Sequence, residues 1–232
     1  MQVNKIIIMI RYTAILLFIV PILISKKADA QQMIVDDAAV TTQRSFQIES
    51  WYGTEESWFQ PAVSVTRWLE LTAGMIFDSS DGLEPDNWFI EFKAVPGDVE
   101  VDGWAYGLVL APVFNFDGDL DEFFSYVLFS KMILDGSSVL HLNLGMEGFN
   151  EHDREYAFTS GIRGDFGIRD RVMILSEIFT SNFETPSFQT GLRLAVIPDL
   201  IEMDVTYGEG FRKGMSYPGF NIGIAITPDR MW

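Results

Sequence analysis

The chain has no cysteine, so no disulfide braces it and thiolate chemistry, catalytic or metal-binding, is excluded. Basic residues are scarce: 16 lysines and arginines stand against 33 acids, for a formal net charge of −17. A balance this negative argues against nucleic acid, and against anionic membrane surfaces, as partners. Histidine is limited to His141 and His152, and no Gly-x-Ser-x-Gly motif occurs. A Ser–His hydrolase would therefore lack its usual parts. An omptin-like protease, with paired acids and a histidine at the outer rim, would have to use His152 beside Glu151 and Asp153, and a solvated charged loop explains those three residues more simply. Past the first 30 residues there is also no apolar run approaching the roughly 20 residues that a membrane-spanning helix needs. No Gly/Ser/Pro-rich linker divides the chain, so the remaining 200 or so residues read as one domain.

The first 30 residues have the composition of a secretory signal peptide. Lys5 and Arg11 precede an apolar run from Ala14 to Ile24, and Ala28-Asp29-Ala30 offers a small-x-small cleavage signal. Export of the Sec type, with cleavage near Ala30, is the expectation. Lys26 and Lys27 just before the cut are unusual for such a leader and leave a retained anchor as the alternative. Lys5, Arg11, Lys26 and Lys27 against Asp29 give the leader a net charge of +3, which leaves the remainder at −20. Residues 31–43 follow as a polar lead-in, expected to form an N-terminal arm on the periplasmic side, with residues 44–232 as the body of the protein.

That body alternates apolar and polar residues with a period of two, in about a dozen short runs. In Phe188-Gln189-Thr190-Gly191-Leu192-Arg193-Leu194-Ala195-Val196 one face carries Phe, Thr, Leu, Leu and Val, and the other Gln, Gly, Arg and Ala. Successive side chains of a strand point to opposite faces, so each run is a strand with one greasy and one wet surface. The connections alternate in length. One set is tight (Thr66-Arg67-Trp68, Asp135-Gly136-Ser137-Ser138, Ile168-Arg169-Asp170, Ile197-Pro198-Asp199), and the other is longer and acidic, as in residues 78–86, 117–122, 150–155 and 209–218. Short turns at one end and long loops at the other are the pattern of an outer-membrane barrel.

The fold class read from this pattern is all-β: a transmembrane, antiparallel, up-and-down barrel of about 12 strands, within a range of about 10 to 14. The segment 95–102 is long for a periplasmic turn, and Pro61 removes a ladder donor from the second strand. Leu142, Leu192 and Ile222 should face lipid; the opposite phase would make a lipocalin-like soluble container. Tryptophans and tyrosines cluster near strand ends, where interfacial girdles sit. The terminal Trp232 is similar to the C-terminal aromatic by which barrels are recognised for assembly.

The inward faces collect Glu49, Glu70, Glu91, Lys93, Lys131, His141, Glu147, Arg163, Asp165, Glu177, Arg193, Glu202 and Asp204 as candidate lumen lining. Charges there need water or partners. They either line a polar, acid-rich path for a small solute or pair across strands and plug the lumen. The first makes the protein a channel in a Gram-negative outer membrane. The second makes it a structural or adhesive surface barrel, and a membrane-embedded hydrolase is the third reading. No catalytic residue and no cofactor is expected. Asp117, Asp119 and Asp121 are candidates for a cation, since carboxylates on a flexible turn suit calcium, although the full twelve-residue pattern is missing. Expected partners are outer-membrane lipid and lipopolysaccharide, the barrel-assembly machinery and a small solute.

The stretches RSFQIESWYG, QPAVSVTRWLELTAG and FQTGLRLAVIPDLIEMDVTYG resemble bacterial outer-membrane barrels of a putative-transporter group linked to MetA-type phenol degradation. The likeness covers most of the chain after the leader, on hairpin motifs with no catalytic signature. It implies an outer-membrane location and a transport role, and it assigns no binding residue.

Overall fold

A computed structural model describes residues 33–149, 156–212, 217–229 and 231. The leader, its cleavage site, His152 and Trp232 lie outside these residues. Twelve strands follow one another in chain order. They are β1 (Ser45–Gly53), β2 (Glu56–Ser64), β3 (Leu69–Asp78), β4 (Glu84–Ala94), β5 (Trp104–Asn115) and β6 (Leu120–Ile133), then β7 (Ser138–Phe149), β8 (Tyr156–Arg169), β9 (Val172–Ser181), β10 (Ser187–Ile197), β11 (Ile201–Gly210) and β12 (Gly219–Ile226). Each pairs antiparallel with its neighbours in sequence, and β12 returns to β1, with Ile48 opposite Ile226 and Tyr52 opposite Ile222. Closure satisfies every strand edge, the condition for a sheet to sit in lipid.

The phase of the strands is the one the alternation predicts. Leu142, Leu192 and Ile222 are 41%, 53% and 40% exposed on the outside of the barrel. The Arg193 and Glu177 side chains beside them in the pattern are buried inside. Branched and aromatic residues make up the outer band, with Trp104 stacked on Tyr106 near the tight-turn end. A soluble protein would not leave so continuous an apolar surface in water; here lipid is its solvent.

Strand β6 departs from the expectation. Its wet face was assigned from Lys131, but Lys131 is exposed and registered opposite the outward Trp104. The inward residues are Phe124, Tyr126, Leu128 and Ser130. So β6 buries a mixed apolar face, and Lys131, two residues before the strand's end, lies where a long side chain can snorkel to the interface. A single lysine in an otherwise uniformly apolar run is a poor guide to phase.

The long connection 95–102 does not change the strand count. It closes with one helical turn, α1 (Val99–Asp102), capped by Asp98, whose side chain accepts from the Glu100 N–H, and stopped by Gly103 in the left-handed conformation. Pro61 stays within β2 opposite Ile48, but the β2–β3 ladder skips it, pairing Phe59 with Met75 and resuming at Ala62 with Thr72. The missing N–H explains the gap.

Candidate functional site: a lumen occupied by the N-terminal arm

Residues 33–41 run inside the barrel. The sequence places this arm on the periplasmic side without saying where it packs; Met33, Val35, Asp36, Asp37, Ala38 and Thr41 are all buried within the lumen. Thr41 N–H donates to Glu70, the second residue of β3, at 2.6 Å, near the tight-turn end. Ile34 and Val35 N–H both donate at 2.9 Å to the carboxylate of Glu177, midway along β9. The arm therefore climbs from the turn end, where it joins β1, to the middle of the barrel.

The arm is irregular backbone at membrane depth, and such backbone must find polar partners. The lumen wall supplies them. Ala38 N–H donates to Ser130 Oγ at 2.7 Å, and Arg163 donates to the Val35 carbonyl at 2.7 Å. With its amide turned to suit its neighbours, Asn143 accepts from Asp36 N–H at 2.7 Å and donates to the Asp36 carbonyl at 3.0 Å. Shape agrees as well, since Gly161 leaves room on β8 for the Val35 side chain, which a Cβ there would overlap.

Charge makes the strongest contacts. Lys93 Nζ lies 2.8 Å from Asp36 and 3.3 Å from Asp37. Arg163 lies 3.6 Å from Asp37 and also holds Asp165 at 2.8 Å, while Tyr126 donates to Asp36 at 3.2 Å. Asp37 is thus paired with two bases, Lys93 and Arg163, inside the barrel.

His141 sits in the same network. Ser130 Oγ lies 2.7 Å from its Nδ1 and Asp165 Oδ2 lies 3.5 Å from its Nε2. Ser130 Oγ also accepts from Ala38 N–H, and Arg163 Nη2 lies 3.4 Å from the His141 Nε2. The order of groups is reminiscent of a hydrolytic triad, yet Ser130 is fully buried beneath the arm. Of the three, Ser130 holds the arm's backbone directly, and His141 and Asp165 stand behind it.

The other predicted lumen residues fall into separate groups. Arg193 donates to Asp204 through Nε at 2.9 Å and Nη2 at 2.8 Å, with Glu202 at 3.5 Å. Glu49 accepts from Gln60 at 2.6 Å and from Gln47. Glu91 faces inward on β4, where Lys93 is among its electrostatic neighbours. Glu147 faces inward near the loop end, with Glu122, Glu56 and Glu184 in its electrostatic neighbourhood. Beside the arm, at the turn end, a cavity of about 260 Å³ is bounded by Asp37, His141, Arg163, Arg193 and Glu202.

Asp117, Asp119 and Asp121 do not converge. The N–H groups of Asp117 and Asp119 turn back to Asn115 Oδ1, and Asp121 accepts from Asn87. Among the described residues no group of three or more His, Asp or Glu is placed to hold a metal ion.

Several lumen residues escaped the sequence reading. Asp36, Asp37, Ser130, Asn143 and Tyr126 belong to the docking site. Trp58, stacked on Trp51 at 5.4 Å and tilted against Phe89 at 5.3 Å, fills the lumen wall toward the loop end. A usable signal was present in the arm: a freely solvated tail has no need of Met33-Ile34-Val35 and Ala38-Ala39-Val40 around two acids.

The family follows from a match along nearly all of the barrel. The chain belongs to the family described as Uncharacterised conserved protein UCP029691, whose model matches residues 19–227. The match supports an outer-membrane barrel but gives no support to the phenol-degradation group that the hairpins resemble; period-two hairpins are common property of such barrels and carry no family signature. No curated protein matches the chain. Among solved structures it is similar to the KdgM porin in complex with disordered oligogalacturonate, with a TM-score of 0.57, 10% identity, and 78% of this chain and 98% of that one covered. It is also similar to the NanC porin, with a TM-score of 0.55, 11% identity and the same coverage of both chains. At this identity the likeness establishes the fold.

Proposed function

We propose that this protein is an outer-membrane channel that passes a small solute through its polar lumen. The observation that carries the reading is the width and polarity of the interior. A closed barrel with a lipid-facing exterior holds an extended peptide segment inside and still leaves a cavity of about 260 Å³ beside it. A lumen with that capacity has room for a small molecule once the segment moves. The fold of the KdgM and NanC porins supports the same reading, and the leader supplies a route of export to that membrane.

Carboxylates outnumber bases on the lumen wall, with Glu49, Glu70, Glu91, Asp165, Glu177, Glu202 and Asp204 facing Lys93, Arg163 and Arg193. Such a wall favours cations and neutral solutes over anions. The outer band would contact lipid and lipopolysaccharide, and the barrel-assembly machinery would insert it. Planar-bilayer recording tests the proposal. Stepwise currents, with a reversal potential showing cation preference in a salt gradient, are expected once the arm is displaced. A folded barrel that never conducts would overturn it in favour of a structural surface barrel.

A further inference from the structure

We infer that the arm is a voltage-sensitive gate of this channel: docked it closes the lumen, and it leaves through the turn end when that side is positive. The inference rests on the channel reading above. Three features of the arm support it. First, no ladder joins the arm to the wall. Among the described residues its backbone is held by the side chains of Glu70, Ser130, Asn143, Arg163 and Glu177, so it can leave without breaking the barrel. Second, the wall retains partners for its bases when the arm is gone. Lys93 keeps Glu70 and Glu91 as electrostatic neighbours and Arg163 keeps Asp165. Both arrangements are therefore electrostatically compensated, as a two-state element requires.

Third, the arm carries charge of one sign. Between residues 33 and 43 the only charged side chains are Asp36 and Asp37, and they sit inside the barrel, so a transmembrane potential acts on two negative charges. The tether is at the turn end, through Ser45 of β1, whose hydroxyl is bonded to the Pro228 carbonyl. A potential positive on the turn side pulls the free end down and out along the way it entered. The opposite polarity drives it deeper into the lumen, the way its docked position already points.

Bilayer recording on the intact mature chain decides this, with orientation set by one-sided labelling of a Val101→Cys probe at the exposed turn-end helix. Current should rise at least tenfold when the turn side is positive and fall again on reversal. Asp36→Lys with Asp37→Lys, which sets four bases face to face without touching the barrel wall, should pass the higher current at both polarities. Equal currents from the two proteins, without polarity dependence, would overturn the gate and leave the channel standing. No current from either, with folding confirmed by the heat-modifiable band, would overturn the channel and the gate with it.

Discussion

Replacing Lys93 by methionine removes the charge that Asp36 and Asp37 share while keeping the bulk of the side chain. Lys93, Asp36 and Asp37 are each about 5% exposed, so little water can take over the lost contacts. Breaking a buried pair by removing one partner costs about 3–5 kcal/mol, because the remaining charge stays uncompensated. Glu70 and Glu91 lose the same base whether or not the arm is docked, but only the docked arm also leaves Asp36 and Asp37 buried beside the lost charge, since a released arm carries both aspartates into solvent. Arg163 still faces Asp37 at 3.6 Å, which argues for the lower end of that range. Even about 3 kcal/mol shifts the ratio of released to docked arm on the order of 100-fold. Proteolysis reads this population directly when opening and closing are faster than cleavage. A protease that cuts before aspartate, added to the folded barrel, should sever Val35–Asp36 at a rate on the order of 100-fold higher in Lys93→Met. Adding Asp37→Asn to that variant, which leaves the Val35–Asp36 cleavage site in place, should return part of the protection, because one of the uncompensated charges is gone. An unchanged cleavage rate in Lys93→Met would refute the claim that these ion pairs hold the arm.

Three further outcomes follow from the same contacts. Gly161→Leu should expel the arm by overlapping Val35, raising the same cleavage rate, and Val35→Ala should partly restore docking where a general folding defect would not respond. Arg193→Met should lower the unfolding midpoint by leaving Asp204, with no exposed surface, without its bidentate partner, at a cost of about 3–5 kcal/mol; Arg193→Met with Asp204→Leu should recover most of the loss. Leu192→Arg, at the middle of β10 on the lipid side, should cost about 2–4 kcal/mol in refolding into lipid vesicles, whereas Lys131→Gln on the same outer surface should change stability by less than about 1 kcal/mol because Lys131 sits near the strand end.

The barrel was legible in the sequence because closure, phase and strand count all follow from one signal. A period-two pattern assigns both faces of a strand at once, and the alternation of turn lengths tells the two ends apart. Ile222, Leu192 and Arg193 all lie on the side so assigned. The pattern gave out on β6, where Phe124, Tyr126 and Leu128 point inward and the alternation that identifies a wet face vanishes. Those residues are apolar for a reason outside the strand. Leu128 packs with Ala38 of the arm, beside Val95, Val99, Ala105 and Val109, so the lumen has its own small core at the turn end. The candidate site was half legible. The charged wall residues were found, but their partner was sought across the strands, when much of it lies in Asp36 and Asp37, over 50 residues away from Lys93 in the chain. Contacts between an irregular segment and a sheet leave no periodicity to read.

The central claim is that the arm occupies the lumen, and the absence of cysteine makes it directly measurable. A single cysteine placed at Val35 in the folded barrel reports the arm, and one placed at Val101, 80% exposed, reports free access. The account predicts that a water-soluble maleimide labels position 35 at least a hundredfold more slowly than position 101, and that unfolding the barrel abolishes the difference. Equal labelling rates in the folded protein would contradict it, for the arm would then lie outside the lumen.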